Sequence, residues 1–238
     1  MARGDLARPD VDAFFASIKR PTRTLKVLSG ADEARLERRG GGYCAHAALG
    51  VHSDRVGTMG SGGATMQLAA PGDGAVASLS TDLLGIEDRA AATGDEAALR
   101  EWRDNIDAQL ASVDVHGFEG AEVVFGLAMH ASAAALAGVD GRRVMRNVVR
   151  DALQTLVGAA SAPGPAWDAV GAPNPYHLDP ELLRRATLFN AARTRAVVET
   201  LPEGSSFYFA RQVGDVSCDW SLGMFLEDAA AATADRAS

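Results

Sequence analysis

Arg142, Arg143, Arg146 and Arg150 crowd into one short stretch of a chain whose formal net charge is −8. A guanidinium is planar and always charged, and it grips phosphate or carboxylate with two parallel hydrogen bonds. On a helix advancing about 100° per residue the four would share one face. Arg184 and Arg195, eleven positions apart, would fall on nearly the same face of a later helix and extend the stripe. Such a face has three uses: a solvated surface paired with Asp140 and Asp151, a contact to nucleic-acid phosphates, or ion pairs to the next subunit.

Two further groups could do chemistry. In YCAHAALGVHSD, Cys44, His46, His52 and Asp54 lie within eleven residues, which fits a Cys–His nucleophile or a metal ligand set. A strand there would put Cys44 and His46 on one face. In GTMGSGGAT, residues 57–65, consecutive glycines could expose backbone N–H groups to phosphate. That segment lacks the lysine of a nucleotide-binding P-loop and lies between strand-like runs, so a tight hairpin is the expected structure. His130, inside the uncharged run GLAMHASA, reads as a core histidine bonded to a backbone carbonyl.

The elements that must position these groups follow from periodicity. RPDVDAFFASIKRP spaces Val11, Phe14, Phe15 and Ile18 as a short amphipathic arm, with Phe14 and Phe15 as candidate subunit contacts. TRTLKVLSG then reads as a strand. ADEARLERRGGG reads as a polar helix ended by its glycines, and RVGTMG, ATMQLAA and AVASLS as strands of a small meander. EAALREWRDNIDAQLASV repeats Leu99, Trp102, Ile106, Leu110 and Val113 along one face of an amphipathic helix. Residues 121–138 carry a single charge, Glu122, and predict a central buried helix. Asp179 and Pro180 mark the start of another, SSFYFARQV is a strand, and an alanine-rich helix begins near Trp220. In the arginine helix, Val144, Met145, Val148, Val149, Leu153, Leu156 and Val157 would form the buried side.

The expected fold class is therefore α+β and helix-dominated, a helical bundle with one small antiparallel β-meander. Residues 1–42 would form the arm and a short helix, 43–84 the meander, and 85–238 the helical body of one integrated domain.

Bulk composition limits the function. Hydrophobic residues at 47% and charged residues at 23% fit an ordinary globular chain and exclude disorder as the default. Only Lys19 and Lys26 of the 23 basic residues are lysines, and the charge is segregated: residues 1–55 carry +3, 56–140 carry −10, 141–200 carry +3 and 201–238 carry −4. Cys44 and Cys218 have no zinc spacing and read as two reduced thiols, though a disulfide between them is open. No signal-like or membrane-spanning run is seen, so the expected location is cytoplasmic or within an assembled particle.

With no catalytic set above background, these features point to a self-assembling structural subunit of the coat, nucleocapsid or shell type. Its partners would be copies of itself and RNA or DNA backbone, with no membrane, cofactor or metal, and it would not be an enzyme. The alternatives are a small-molecule enzyme with its site near Cys44, His46 and His52, and a scaffold or adaptor without nucleic acid.

Overall fold

The computed structural model describes residues 28–72, 74–174 and 177–237. The arm with Phe14 and Phe15, and most of the TRTLKVLSG segment, lie outside the described residues. The first helix, α1 (Gly30–Leu49), starts at a capping box: the Ser29 hydroxyl accepts from the Asp32 amide, and the Asp32 carboxylate accepts from the Ser29 amide. It does not stop at its glycine run. Gly40, Gly41 and Gly42 are buried inside it, and the helix ends at Gly50 in the left-handed conformation, φ 69°. Tyr43 to Leu49, expected as part of the meander, is helical.

Three strands follow, β1 (Val56–Ser61), β2 (Thr65–Ala69) and β3 (Val76–Ser80), then helices α2 (Leu83–Thr93) and α3 (Asp95–Leu110). Ala98, Trp102, Ile106 and Leu110 are the buried face of α3. The Trp102 indole N–H donates to the Phe189 carbonyl at 3.1 Å, which gives a buried donor its partner. The run 121–138, whose single charge is Glu122, is not one helix. It splits into strand β4 (Val123–Gly126) and helix α4 (Ala128–Leu136).

Beyond it lie β5 (Val144–Met145), α5 (Arg146–Ala160), α6 (Pro165–Asp168), α7 (Pro180–Thr200), β6 (Ser206–Phe209), β7 (Gln212–Val213), β8 (Val216–Ser217) and α8 (Trp220–Ala237). Asp179 caps α7 by accepting from the amides of Glu181 and Leu182. The helix α5 buries Val149, Leu153, Leu156 and Val157, whereas Met145 and Val148 are exposed.

The sheet decides the fold class. Its strand order is β3-β2-β1-β4-β6-β5, with β1 parallel to β4 and β4 parallel to β6, while the remaining pairs are antiparallel. The expected meander is thus one half of a six-stranded mixed sheet. This is an α/β fold and not a helical bundle with a small meander. Strand β4 shows why: Val123 and Phe125 pack into one core with Cys44 and Ala45 of α1, and Val124 packs into the other with Leu188 and Val197 of α7. A strand buried on both faces has no polar alternation to betray it.

A disulfide joins Cys44 of α1 to Cys218, just before α8, across 174 positions of sequence. The expected pair of separate reduced thiols is corrected accordingly. Closing so long a loop restricts the unfolded chain most, so the bond ties the first described helix to the last. Replacing both cysteines by serine is expected to lower the unfolding free energy by roughly 2–5 kcal/mol. Urea unfolding should give that loss for the double variant, and excess reductant should bring the wild type to the same midpoint.

Candidate functional site

Parallel strands present their carboxyl ends to ligands in α/β sheets. Here the ends of β1 and β4 lie side by side, held by a hydrogen bond of 2.9 Å from the Leu127 amide to the Met59 carbonyl. At that edge β4 passes into the N-terminus of α4 through Ala128, a non-glycine residue at φ 51°, and β1 turns into β2 through the hairpin Gly62–Gly63–Ala64. The amides of Gly63 and Ala64 donate to no group among the described residues. A Cβ added at Gly63 would meet nothing within 4 Å, so the hairpin tip is open.

The two faces of β1 carry opposite chemistry. On the α1 side, Gly60 leaves room for the Glu37 carboxyl, which a Cβ at that position would strike. Glu37 is 5% exposed and its Oε2 has no hydrogen-bond partner. Burial first, then the charges of Glu33 and Asp219, push its pKa well above the ordinary carboxylate value, which favours the protonated form. One turn earlier, the Glu33 carboxylate accepts from the Gln67 side-chain amide at 2.9 Å, and the same amide donates to Thr65 Oγ1 at 3.0 Å. Two carboxyls on one helix face thus sit in different environments beside the hairpin.

On the α7 side, Arg193 is fully buried. Its guanidinium donates to the Gly62 carbonyl at 2.9 Å, Thr81 Oγ1 at 3.0 Å, Ser61 Oγ at 3.2 Å, Asn190 Oδ1 at 2.7 Å and the Met129 sulfur at 3.6 Å. Burial alone pushes its pKa down to about 9. His130 is buried beside it, neutral because burial and then Arg193 lower its pKa well below the usual value. The Thr194 hydroxyl donates to the Asn190 carbonyl, so His130 Nδ1 is the donor in its 2.8 Å bond to Thr194. The partner of His130 is therefore a hydroxyl and not the expected carbonyl. Through Thr81 the network adjoins a cleft of about 350 Å³ lined also by Asp82, Ile86, Trp102, Asn105 and Gln109.

The residues singled out from sequence lie elsewhere. Arg142 and Arg143 precede α5, so the four arginines do not form one helical stripe. Arg142 donates to the Gly138 carbonyl, Arg143 to Ser206 Oγ and Glu122, and Arg150 to Asp151. Arg146 donates to the carbonyls of Val198 and Glu199. Arg184 is 1% exposed and paired with Asp95 and Glu181, and Arg195 bonds Glu199 and Gln154. The Cys44, His46, His52 group does not converge: Cys44 is in the disulfide, His46 is exposed on the last turn of α1, and His52 caps the short turn Ser53–Arg55. Sequence reasoning missed Glu37 and Arg193, which carry no local signal. It did single out residues 57–65, whose hairpin is the centre of the site.

No protein-family model and no curated protein matches the sequence. Solved structures do resemble it. A crystal structure of an exopolyphosphatase-like protein aligns with a TM-score of 0.58 at 17% identity, covering 90% of this chain and 71% of that one. Crystal structures of the Aquifex aeolicus member of the Ppx/GppA protein family and of the type II variant of the Aquifex aeolicus Ppx/GppA phosphatase align at TM-scores of 0.58 and 0.54, with 14% and 15% identity. They are covered over 70% and 64% of their length, and 92% and 83% of this chain takes part. At such identity the fold is what is shared. One of these neighbours is a phosphatase and another is exopolyphosphatase-like, and this finding overturns the expectation of a self-assembling coat, nucleocapsid or shell subunit that is not an enzyme. Among the described residues no helix is long and apolar enough to cross a membrane, and no three His, Cys, Asp or Glu side chains gather as a metal cluster.

The neutral Glu37 yields a prediction. A carboxyl whose pKa is raised by folding stabilises the fold fully below its unfolded pKa, and that contribution is lost as pH rises through the folded value. Glu37→Gln keeps the shape without the proton. Chemical denaturation from about pH 5 upward should show wild-type stability declining with pH more steeply than the variant's, with Glu37→Gln the more stable at the alkaline end.

Proposed function

We propose that the chain is a phosphoanhydride hydrolase that removes terminal phosphate from polyphosphate-like substrates, with its site at the β1–β2 hairpin. The observation that carries this reading is the pair of open amides at Gly63 and Ala64, backed by the buried Arg193 cation and flanked by Glu33. Phosphoryl transfer asks mainly for positioning and charge stabilisation, and backbone N–H groups aimed at phosphate oxygens supply both. The fold shared with an exopolyphosphatase-like protein supports the substrate class.

In this scheme the terminal phosphate rests on the Gly63 and Ala64 amides. Glu33 takes a proton from a water molecule as its oxygen attacks the terminal phosphorus. The bond from that phosphorus to the bridging oxygen breaks, releasing orthophosphate and a chain one phosphate shorter. Gln67 orients the Glu33 carboxylate. Glu37, held neutral, adds no negative charge to repel the substrate.

Orthophosphate release from inorganic polyphosphate and tripolyphosphate tests the reading. The wild type should release phosphate from both, and Glu33→Gln should lower kcat by about 10²–10⁴-fold, the range of a lost general base. Absence of phosphate release by the folded wild type would remove the proposal.

A further inference from the structure

Arg184 and Arg193 are both buried arginines of α7, yet they are treated in opposite ways. Arg184 meets two carboxylates, Asp95 and Glu181, and its pKa is raised, first by its hydrogen bond to Glu181. Arg193 meets none among the described residues. Its hydrogen bonds all go to neutral atoms: a carbonyl, two hydroxyls, a side-chain amide oxygen and a thioether. A buried charge without a counter-charge is costly, and carbonyl and hydroxyl dipoles offset only part of that cost.

The contact to Gly62 has a directional consequence. Among the described residues no peptide bond is cis, so the Gly62–Gly63 peptide is planar and trans. In that geometry the N–H of Gly63 points opposite to the C=O of Gly62. The Gly62 carbonyl faces the guanidinium at 2.9 Å, so the Gly63 N–H faces away from it, and it is one of the two amides that donate to no group among the described residues. Arg193 also donates to Ser61 Oγ on the strand that leads into the turn and to Thr81 Oγ1, whose own amide donates to the Ala64 carbonyl at the far side of it. The hairpin is thereby held on both arms by one side chain.

We infer that Arg193 is the positioning residue of an oxyanion site: it fixes the Gly62–Gly63 peptide so that the Gly63 N–H points outward, and it polarises that peptide toward a bound phosphate group. The counter-charge that Arg193 lacks among the described residues is the ligand's. The guanidinium does not touch the anion and acts through the peptide between them. This inference deepens the hydrolase reading and rests on the same hairpin.

The test separates binding from turnover. Titrating the isotope-labelled wild type with inorganic phosphate and with tripolyphosphate should shift the Gly63 and Ala64 amide signals most, with displacements that saturate. Arg193→Met, which removes the charge at similar volume, should weaken tripolyphosphate binding at least tenfold and abolish the Gly63 displacement. Arg193→Lys, which keeps the charge but cannot reach both arms of the hairpin, should recover part of the affinity. In the hydrolysis assay the same variants should raise KM more than they lower kcat. If Arg193→Met does not fold, the wild-type titration together with Arg193→Lys decides the matter. Wild-type Gly63 and Ala64 signals unmoved at saturating anion, or Arg193→Lys binding as the wild type does with an unchanged Gly63 displacement, would overturn the inference. Anion binding at Gly63 without phosphate release would sink the hydrolase reading and leave this one standing. Phosphate release with unchanged KM in both Arg193 variants would do the reverse.

Discussion

The structure depends on how closely α1 lies against the sheet. Three consecutive glycines in a helix cost up to about 1 kcal/mol each relative to alanine, so their retention calls for a compensating contact. That contact is steric. A Cβ at Gly41 would come within 2.7 Å of Thr58 Cγ2, one at Gly42 within 3.0 Å of Ser53 Cβ, and one at Gly40 within 2.6 Å of the Asp219 carbonyl. Gly223 of α8 performs the same service against the Leu36 carbonyl. The helix is thus wedged between β1 and α8, and the Cys44–Cys218 bond fastens the wedge. Its consequence is placement: only a helix this close can lay Glu37 over Gly60 and join Glu33 to Gln67 of β2.

The same closeness governs the electrostatics. Among the described residues no cation pairs with Glu37, so burial, and then the charges of Glu33 and Asp219, favour its protonated form on the α1 face of β1. Across the strand Arg193 stays cationic among neutral oxygens. One residue step along β1, from Gly60 to Ser61, separates a neutralised acid from an unpaired base. A pleated strand makes this possible, since successive residues face opposite layers. The hairpin thus has one buried cation behind it, Glu33 near one side through Gln67, and Asp82 on the other, whose amide donates to the Ala64 carbonyl at 3.2 Å.

Much of the local structure is legible in the sequence. Asp179–Pro180 marks the start of α7, Trp102, Ile106 and Leu110 mark the face of α3, and the three runs between residues 56 and 80 are strands. What fails to show is whatever depends on partners distant in sequence. Val123–Gly126 lacks alternation because both its faces are buried, and it merges with the apolar start of α4. Missing that strand turns a mixed sheet into an apparent meander. Gly40–Gly42 resembles a helix stop because glycine is the commonest residue just past a helix end, whereas here the neighbouring backbones demand it. Of the site, residues 57–65 are conspicuous as a hairpin. Glu37 looks like any acid on a polar helix, and Arg193 like any other arginine of ARTR.

Charge segregation misled for a related reason. Counting arginines along the chain treats each as a surface cation, yet several of them serve helix ends. The last carbonyls of a helix lack intrahelical donors, and a guanidinium supplies both hydrogen bonds and favourable charge at that pole. Arg146 donates to the carbonyls of Val198 and Glu199 at the end of α7, Arg184 to that of Ala160 at the end of α5, and Arg142 to that of Gly138 just beyond α4. A lysine ammonium could not span two successive carbonyls in this planar way, which gives the arginine-rich composition a structural use. The anion site proposed above is then not a basic surface at all. It is a pair of backbone amides with one sequestered cation behind them, and a net charge of −8 says nothing about it. Recognition at such a site would follow the direction of peptide planes more than the number of side-chain charges.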